Sequence, residues 1–175
     1  MLQLDVSQSA TFDAFVGQIG TLLKDVFAQE HFNFLINNAG VGTYASFAET
    51  TEAQFDQLVA IHVKAPFFLT QKLLPLISDG GRIINVSSGL ARFSLPGYAA
   101  YASMKGAVEV LSRYQAKELG PRGITVNTLA PGAIATDFGG GAVRDNTNVN
   151  AMVANNTALG RAGLPDDIGG AISTL

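Results

Sequence analysis

Two residues four positions apart, Tyr101 and Lys105, have side chains that could move a proton to or from an oxygen atom. They lie in the stretch GYAAYASMKGAVEVL (residues 97–111), whose pattern predicts a helix, and helical residues four apart face the same way. A phenol and an ammonium have unperturbed pKa values of about 10 and 10.4, and a neighbouring ammonium favours the phenolate. We therefore expect Lys105 to lower the pKa of Tyr101, which would act as a general acid or base.

A hydroxyl group thirteen residues before Tyr101 completes this candidate catalytic set. Ser88 follows an apolar stretch, and its hydroxyl could hold a substrate oxygen beside the phenol. The set can move a proton to or from an alcohol or a carbonyl oxygen, but it contains no electron acceptor. An oxidation or reduction at this site therefore needs a cofactor.

The elements that must position these residues alternate between strand and helix. Apolar, turn-bounded segments predict strands at residues 1–6, 33–38, 82–87 and 123–129. Helical periodicity predicts long helices at residues 7–29, 53–77 and 99–119. Because the strands look buried on both faces, the pattern predicts an α/β fold with a doubly wound, Rossmann-like parallel sheet and helices on both sides.

Small or polar residues close the predicted strands at one edge of this sheet. They are Asp5 and Val6, then Asn37 to Gly40, then Ser87 to Gly89, and finally Pro131 and Gly132. Ligands of open parallel sheets bind beyond the carboxyl ends of the strands. We therefore expect the ligand crevice at this edge, close to the start of the helix that carries Tyr101.

The composition excludes several other classes of protein. A net charge of −3 without a basic run argues against nucleic-acid binding. With no cysteine and only two histidines, we expect no disulfide and no thiolate or histidine-rich metal site. The longest apolar stretch is interrupted by charges and prolines, and the first residues do not form a signal peptide, so we expect a cytoplasmic protein without a membrane span. The low charged fraction, 14%, predicts an apolar surface covered by another subunit.

Five stretches and one spacing together resemble the classical short-chain dehydrogenases/reductases. They are LINNAG, GRIINVSSG, YASMK, GPRGITVNTLAPGAIATDF and LGRAGLPDDIG, together with the spacing of Ser88 from Tyr101. The resemblance runs almost from end to end, in the right order. It implies an NAD- or NADP-dependent oxidoreductase that interconverts a secondary alcohol and a ketone. It also implies a homodimer or homotetramer that packs through helices 53–77 and 99–119.

The resemblance assigns a role to each matching residue. Tyr101 would be the acid/base, Lys105 would bind the nicotinamide ribose and Ser88 would position the substrate carbonyl. The remaining positions would contact the dinucleotide: Asp5 and Val6 at the adenine, Asn38, Ala39 and Gly40 on the adenosine side, and Pro131, Gly132, Ile134 and Thr136 around the nicotinamide amide.

Some of these residues have simpler interpretations. Asp5 could be a turn residue at a strand end, Asn37 could bridge the sheet, and Thr136 could cap the segment that follows it. For the whole protein, an NAD-dependent epimerase or dehydratase and a non-catalytic interaction domain remain alternatives.

Position 62 departs from the family, which usually has asparagine there to help bind a proton-relay water. This chain has His62, followed by Pro66, which cannot donate a hydrogen bond to the carbonyl of His62. We expect a kink that leaves this carbonyl available to water, with the imidazole as an added titratable group in the catalytic site. A packed histidine without a catalytic part is the alternative.

The part of the chain that would bind the dinucleotide departs further from the family pattern. No G-x-G-x-x-G turn opens the chain, and the family's first two strand–helix units, on the order of 60 residues, and its last strand have no counterpart. We interpret residues 1–175 as a single partial domain in which residues 138–160 form a substrate loop or lid. Pyrophosphate is held largely by such a turn, so we expect weak dinucleotide binding and no turnover by the chain alone.

Overall fold

The computed structural model describes residues 1–175 as an α/β structure built on a three-stranded parallel sheet. The strands lie in the order β1 (Phe32–Asn37), β2 (Ile77–Val86) and β3 (Thr125–Leu129). The α-helices are α1 (Phe12–Phe27), α2 (Glu52–Val59), α3 (Ala65–Leu73), α4 (Ala99–Leu119), α5 (Ala142–Asp145), α6 (Thr147–Asn155) and α7 (Pro165–Thr174). The predicted parallel α/β architecture is therefore confirmed.

One face of the sheet carries the core. Leu35 of β1 lies opposite Ile83 of β2, which lies opposite Val126 of β3, so these three side chains share a face. Helices α1 and α3 pack on this face through Phe12 and Leu69, and the end of α4 packs there as well. Helix α4 is thus fixed to the middle of the sheet by apolar contacts.

The opposite face of β1 is open. Phe34 and Ile36, which alternate with Leu35, are exposed, and no further strand pairs with this edge of the sheet. An apolar groove of about 390 Å³ runs along β1 beside α1. Burying such a side chain contributes roughly 1.5–3 kcal/mol to the free energy of unfolding, so covering this face would stabilise the fold.

The predicted strand at residues 1–6 is wrong. The segment has no strand partner, and Leu4 and Val6 pack instead against the apolar cluster between α1 and α3. The alternation of the sequence is suited to a strand, but an extended segment becomes a strand only when a neighbour satisfies its backbone hydrogen bonds.

The long helix predicted at residues 53–77 is divided. Helix α2 begins with a capping box in which Thr51 accepts from the N–H of Gln54 and Gln54 accepts from the N–H of Thr51. A π-helical turn, Ala60–Lys64, then precedes α3, and Pro66 stands in the first turn of α3. The sequence predicts a kink at this position, and the structure has a wider helical turn there, at Ala60–Lys64.

Residues 138–160 contain only short helices. A 3₁₀ turn at Phe138–Gly141 with three consecutive left-handed glycines leads into α5 and α6. None of the helices in the chain combines the length and the apolar character that crossing a bilayer requires.

Candidate active site

Helix α4 presents Tyr101 and Lys105 on the same buried face. The Nζ atom of Lys105 lies 5.6 Å from the centroid of the Tyr101 ring and donates a hydrogen bond to the carbonyl of Val86, at 2.7 Å. The phenyl ring of Tyr101 packs against Leu58 and Met104. The spacing of four residues thus produces the predicted neighbours, and the end of β2 holds the ammonium in place.

The pKa of Tyr101 does not move in the expected direction. Burial raises it, the hydrogen bond with the Ser88 hydroxyl lowers it to a smaller extent, and Tyr98 raises it further. Burial also lowers the pKa of Lys105, to about 8. Desolvation disfavours both charged forms, so the phenol stays protonated at neutral pH.

The Ser87–Ser88 pair connects the end of β2 to α4. The Ser88 hydroxyl accepts a hydrogen bond from the N–H of Leu90, at 3.2 Å. It also lowers the pKa of the Tyr101 phenol. The Ser87 hydroxyl lies 3.1 Å from the carbonyl oxygen of Lys105 and 3.0 Å from a carboxylate oxygen of Glu109. Ser88 therefore faces Tyr101, whereas Ser87 attaches the end of β2 to α4.

His62 lies in the π-helical turn and is 1% exposed. Its Nε2 atom donates to the carbonyl of Val41, at 2.8 Å, and its ring meets that of Tyr101 edge to face with centroids 5.3 Å apart. Its Nδ1 atom is buried without a hydrogen-bond partner. Burial, followed by the charge of Lys105, lowers the pKa of His62 to about 4, against the opposing effect of the Val41 hydrogen bond.

This lowered pKa predicts an acid-sensitive fold. Unfolded histidine titrates near 6.5, so between pH 6.5 and about 4 the unfolded chain binds more protons than the folded chain, and stability falls as the pH falls through this window. We expect His62 to account for about 2 kcal/mol of lost unfolding free energy between pH 7 and pH 5.

Urea unfolding of the wild type, His62→Asn and His31→Asn at the two pH values measures this contribution. In His62→Asn, the loss of unfolding free energy between pH 7 and pH 5 should be smaller than in the wild type by about 2 kcal/mol. His31→Asn, at the other histidine, should show the same loss as the wild type. Equal pH dependence in the wild type and His62→Asn would contradict the buried neutral imidazole.

A polar ladder crosses the sheet beneath the site. Asn37 donates to Thr70 on α3, at 3.0 Å, and to the side-chain oxygen of Asn85, at 2.8 Å. Asn85, which is completely buried, donates to Ser112 and Gln115 on α4, at 2.8 and 2.9 Å. The sheet-bridging interpretation of Asn37 is confirmed. Asn85 was not singled out from sequence, although a polar residue inside the apolar strand GRIINV is a signal for such a network.

The structure brings the predicted adenosine-side residues together at the end of β1. Val6 and Ala39 line the same small cavity, and Asn38 and Gly40 are exposed beside it. The carboxylate of Asp5 accepts from both the hydroxyl and the N–H of Ser7, and these bonds, in that order, lower its pKa. Asp5 thus stabilises a turn, as the simpler interpretation of this residue predicts.

The predicted nicotinamide-side residues lie next to the Ser88 loop. The carbonyl of Pro131 accepts from the N–H of Gly89, at 2.8 Å, and space is open beside Gly132. Ile134 forms a parallel bridge with Gly163. Thr136 accepts a hydrogen bond from the N–H of Phe138, at 3.2 Å. It therefore caps the turn that follows, as the simpler interpretation of this residue predicts.

These residues fit one half of a dinucleotide better than the other. Lys105 donates one hydrogen bond to Val86, so two N–H groups remain for ribose hydroxyls, and Pro131 is joined to the loop after Ser88 through the N–H of Gly89. The described chain contributes no glycine-rich turn leading into a helix next to β1, where amides would receive the pyrophosphate.

The family of the chain follows from its similarity to known proteins. A family model described as enoyl-(acyl carrier protein) reductase matches residues 1–175. An uncharacterized oxidoreductase of Methylorubrum extorquens is 34% identical, with 99% of this chain and 68% of the relative aligned. The chain belongs to the short-chain dehydrogenase/reductase family.

Two solved structures place the fold within the same family. A short-chain dehydrogenase/reductase from Serratia marcescens has a TM-score of 0.87 and 30% identity, covering 99% of this chain and 67% of that one. The landomycin C-6 ketoreductase LanV with bound NADP and rabelomycin has a TM-score of 0.85 and 33% identity, covering 98% of this chain and 64% of that one. The chain spans about two thirds of the length of these relatives.

Proposed function

We propose that this chain carries the catalytic centre of an NAD(P)-dependent carbonyl reductase acting on ketones. The observation that carries the proposal is the meeting of Tyr101, Lys105 and Ser88 at the carboxyl edge of a parallel sheet. The raised pKa of Tyr101 favours reduction, because a protonated phenol can act as the acid that converts a carbonyl oxygen into an alcohol. The solved LanV structure, with NADP and rabelomycin, supports the same reaction class.

Each residue then has a distinct task. The Ser88 hydroxyl donates a hydrogen bond to the substrate carbonyl and places its oxygen beside the phenol. Tyr101 transfers its proton to that oxygen as the carbonyl carbon receives a hydride. Bound NADH or NADPH would supply the hydride, and Lys105 with the stretch from Pro131 to Thr136 would hold its nicotinamide ribose and amide. The ammonium of Lys105 stabilises the phenolate that the proton transfer leaves behind.

His62 stays neutral in this scheme. Its Nδ1 atom can accept a hydrogen bond from a water molecule beside Tyr101, and that water would relay a proton from solvent to the phenolate. The lowered pKa of His62 makes the imidazole an acceptor that orders this water, so it does not itself store the proton.

The proposal is tested by following the consumption of NADH and NADPH with a panel of aliphatic and aromatic ketones. The assay is made on the longest polypeptide that the gene encodes and on the 175-residue chain by itself. We expect ketone-dependent oxidation of one nucleotide by the former. Because β1 has an open edge and no pyrophosphate-binding turn, we propose that the latter binds dinucleotide weakly and does not turn over. Micromolar binding by the short chain would contradict this second part.

We also propose that the protein assembles through the outer faces of α3 and α4. Apolar side chains are exposed there, among them Phe67 and Phe68 on α3 and Val110 and Tyr114 on α4. Light scattering on the longest polypeptide should show a dimer or tetramer. Val110→Asp combined with Tyr114→Asp should shift the mass to the monomer, whereas Phe27→Asp, at an exposed site on α1, should not. A monomeric wild type would contradict the proposal.

A further inference from the structure

Three exposed aromatic rings lie on the segments next to Ser88 and Tyr101, and each lies against a glycine. The ring of Phe138 approaches Gly42 so closely that a Cβ atom there would lie 2.9 Å away. Phe93 approaches Gly89, the residue after Ser88, in the same way, also at 2.9 Å. Tyr44 lies over Gly97, where the corresponding distance would be 2.3 Å. We call Phe138, Phe93 and Tyr44 the aromatic rim.

The rim is continuous with the catalytic residues. The Phe138 ring lies 5.9 Å from that of Tyr101, measured between centroids, and Phe93 is held beside the Ser88 loop. Tyr44 contacts the ring of Tyr98 edge to face, at 5.4 Å. The three rim residues come from three separate segments of the chain, and the fold brings Phe138, Phe93 and Tyr44 next to Tyr101, Gly89 and Tyr98 respectively.

The rim is more exposed than apolar rings normally are. Phe138, Phe93 and Tyr44 are 45%, 59% and 75% exposed. Exposed aromatic rings beside a reactive centre are suited to a ligand that covers them. Because glycine has no side chain, each ring approaches the backbone closely, and a Cβ atom at any of the three glycines would clash with it.

The same loops offer no free charge to a substrate. Residues 38–47 contain no charged side chain. Arg92 lies 3.6 Å from Glu109, and Asp137 is paired with Arg144. A carboxylate or phosphate on the substrate would therefore find no unpaired cation in the rim. The rim instead presents uncharged ring surfaces, which suit an uncharged ligand.

We infer that the substrate is an uncharged ketone whose carbonyl is attached to a flat aromatic ring system, held by the aromatic rim while its oxygen reaches Ser88 and Tyr101. This inference rests on the proposed function, since it assumes that the site receives a carbonyl. The rim stacks on the ring system, so it selects aromatic ketones over saturated ketones of the same size.

Ligand-observed NMR titration of the 175-residue chain tests the inference with two probes. They are 2-acetonaphthone and its fully saturated analogue, 1-(decahydronaphthalen-2-yl)ethanone, which is the more hydrophobic of the two. We expect the naphthyl ketone to bind about 10-fold more tightly. Equal or tighter binding of the saturated ketone would overturn the inference, since burial of apolar area alone favours the saturated ring.

Single substitutions locate the effect. Phe138→Leu and Phe93→Leu should each weaken naphthyl ketone binding by roughly 2- to 10-fold, with little change for the saturated ketone. Phe27→Leu, an exposed phenylalanine on α1, is the matched control and should change neither. Circular dichroism checks that each variant is folded. Unchanged naphthyl ketone binding in both rim variants would also overturn the inference.

The binding measurement is independent of turnover. A protein that reduces aliphatic ketones but does not prefer the naphthyl probe would retain the proposed function and refute the aromatic substrate. A protein that binds the naphthyl probe through the rim but never consumes reduced nicotinamide would support the aromatic ligand and refute the reductase.

Discussion

Replacing Tyr101 by phenylalanine should lower the rate of ketone reduction by about 10²- to 10⁴-fold, the range that general acid catalysis contributes. The substitution removes one oxygen atom and leaves the ring, which packs against Leu58 and Met104 and meets His62 edge to face. The fold and the binding of the ketone should therefore be retained. The loss should appear in kcat with little change in KM, because the proton is needed in the transition state.

A matched control lies on the same helix. Tyr114→Phe makes the identical chemical change at an exposed position of α4, away from the catalytic pair, and should keep the wild-type rate. Both variants are measured in the longest polypeptide of the gene, with the ketone and nucleotide that give the highest wild-type rate. More than a tenth of the wild-type rate in Tyr101→Phe would show that another group supplies the proton.

The largest effect on stability is expected at Asn85. Its side chain makes three hydrogen bonds, one with Asn37 in the sheet and two with Ser112 and Gln115 on α4, and none of it reaches solvent. Asn85→Ala removes all three and leaves buried polar partners unsatisfied, so we expect a loss of about 3 kcal/mol of unfolding free energy. Against a typical total of about 5–15 kcal/mol, this loss could leave much of the chain unfolded.

Asn33→Ala provides the comparison, because Asn33 is an exposed asparagine on the neighbouring strand β1. Its substitution should cost less than about 0.5 kcal/mol, as is usual for surface positions. Urea unfolding followed by circular dichroism gives both values. Similar losses in the two variants would mean that the ladder across the sheet contributes nothing beyond strand propensity.

The parts of the fold that depend on local pattern were predictable from sequence. The strands predicted at residues 33–38, 82–87 and 123–129 correspond to β1, β2 and β3, and the helix at 99–119 is α4. In these segments the apolar period and the turn residues agree with the tertiary environment. The segment at residues 1–6 failed because a strand also needs a partner, which local pattern does not report.

The site was predictable to a similar degree. The spacing of Tyr101 and Lys105 on one helix fixed their proximity, and the structure shows it. The direction of the Tyr101 pKa was not predictable, since it depends on burial by α2 and the neighbouring loops. The aromatic rim was missed for a related reason. Its members lie 49 and 45 positions apart in the chain, from Tyr44 to Phe93 and from Phe93 to Phe138, and no periodicity connects them.

The π-helical turn at Ala60–Lys64 holds one residue more than an α-helical turn. A π turn closes with i→i+5 hydrogen bonds, so its five residues complete about the rotation that four residues complete in an α-helix. The extra residue is therefore absorbed locally, and the helices on either side keep their faces. Leu58 and Leu69, on either side of the turn, are buried in separate apolar clusters. A homologous chain that lacks one residue in this turn should therefore form continuous α-helix and keep both leucines buried.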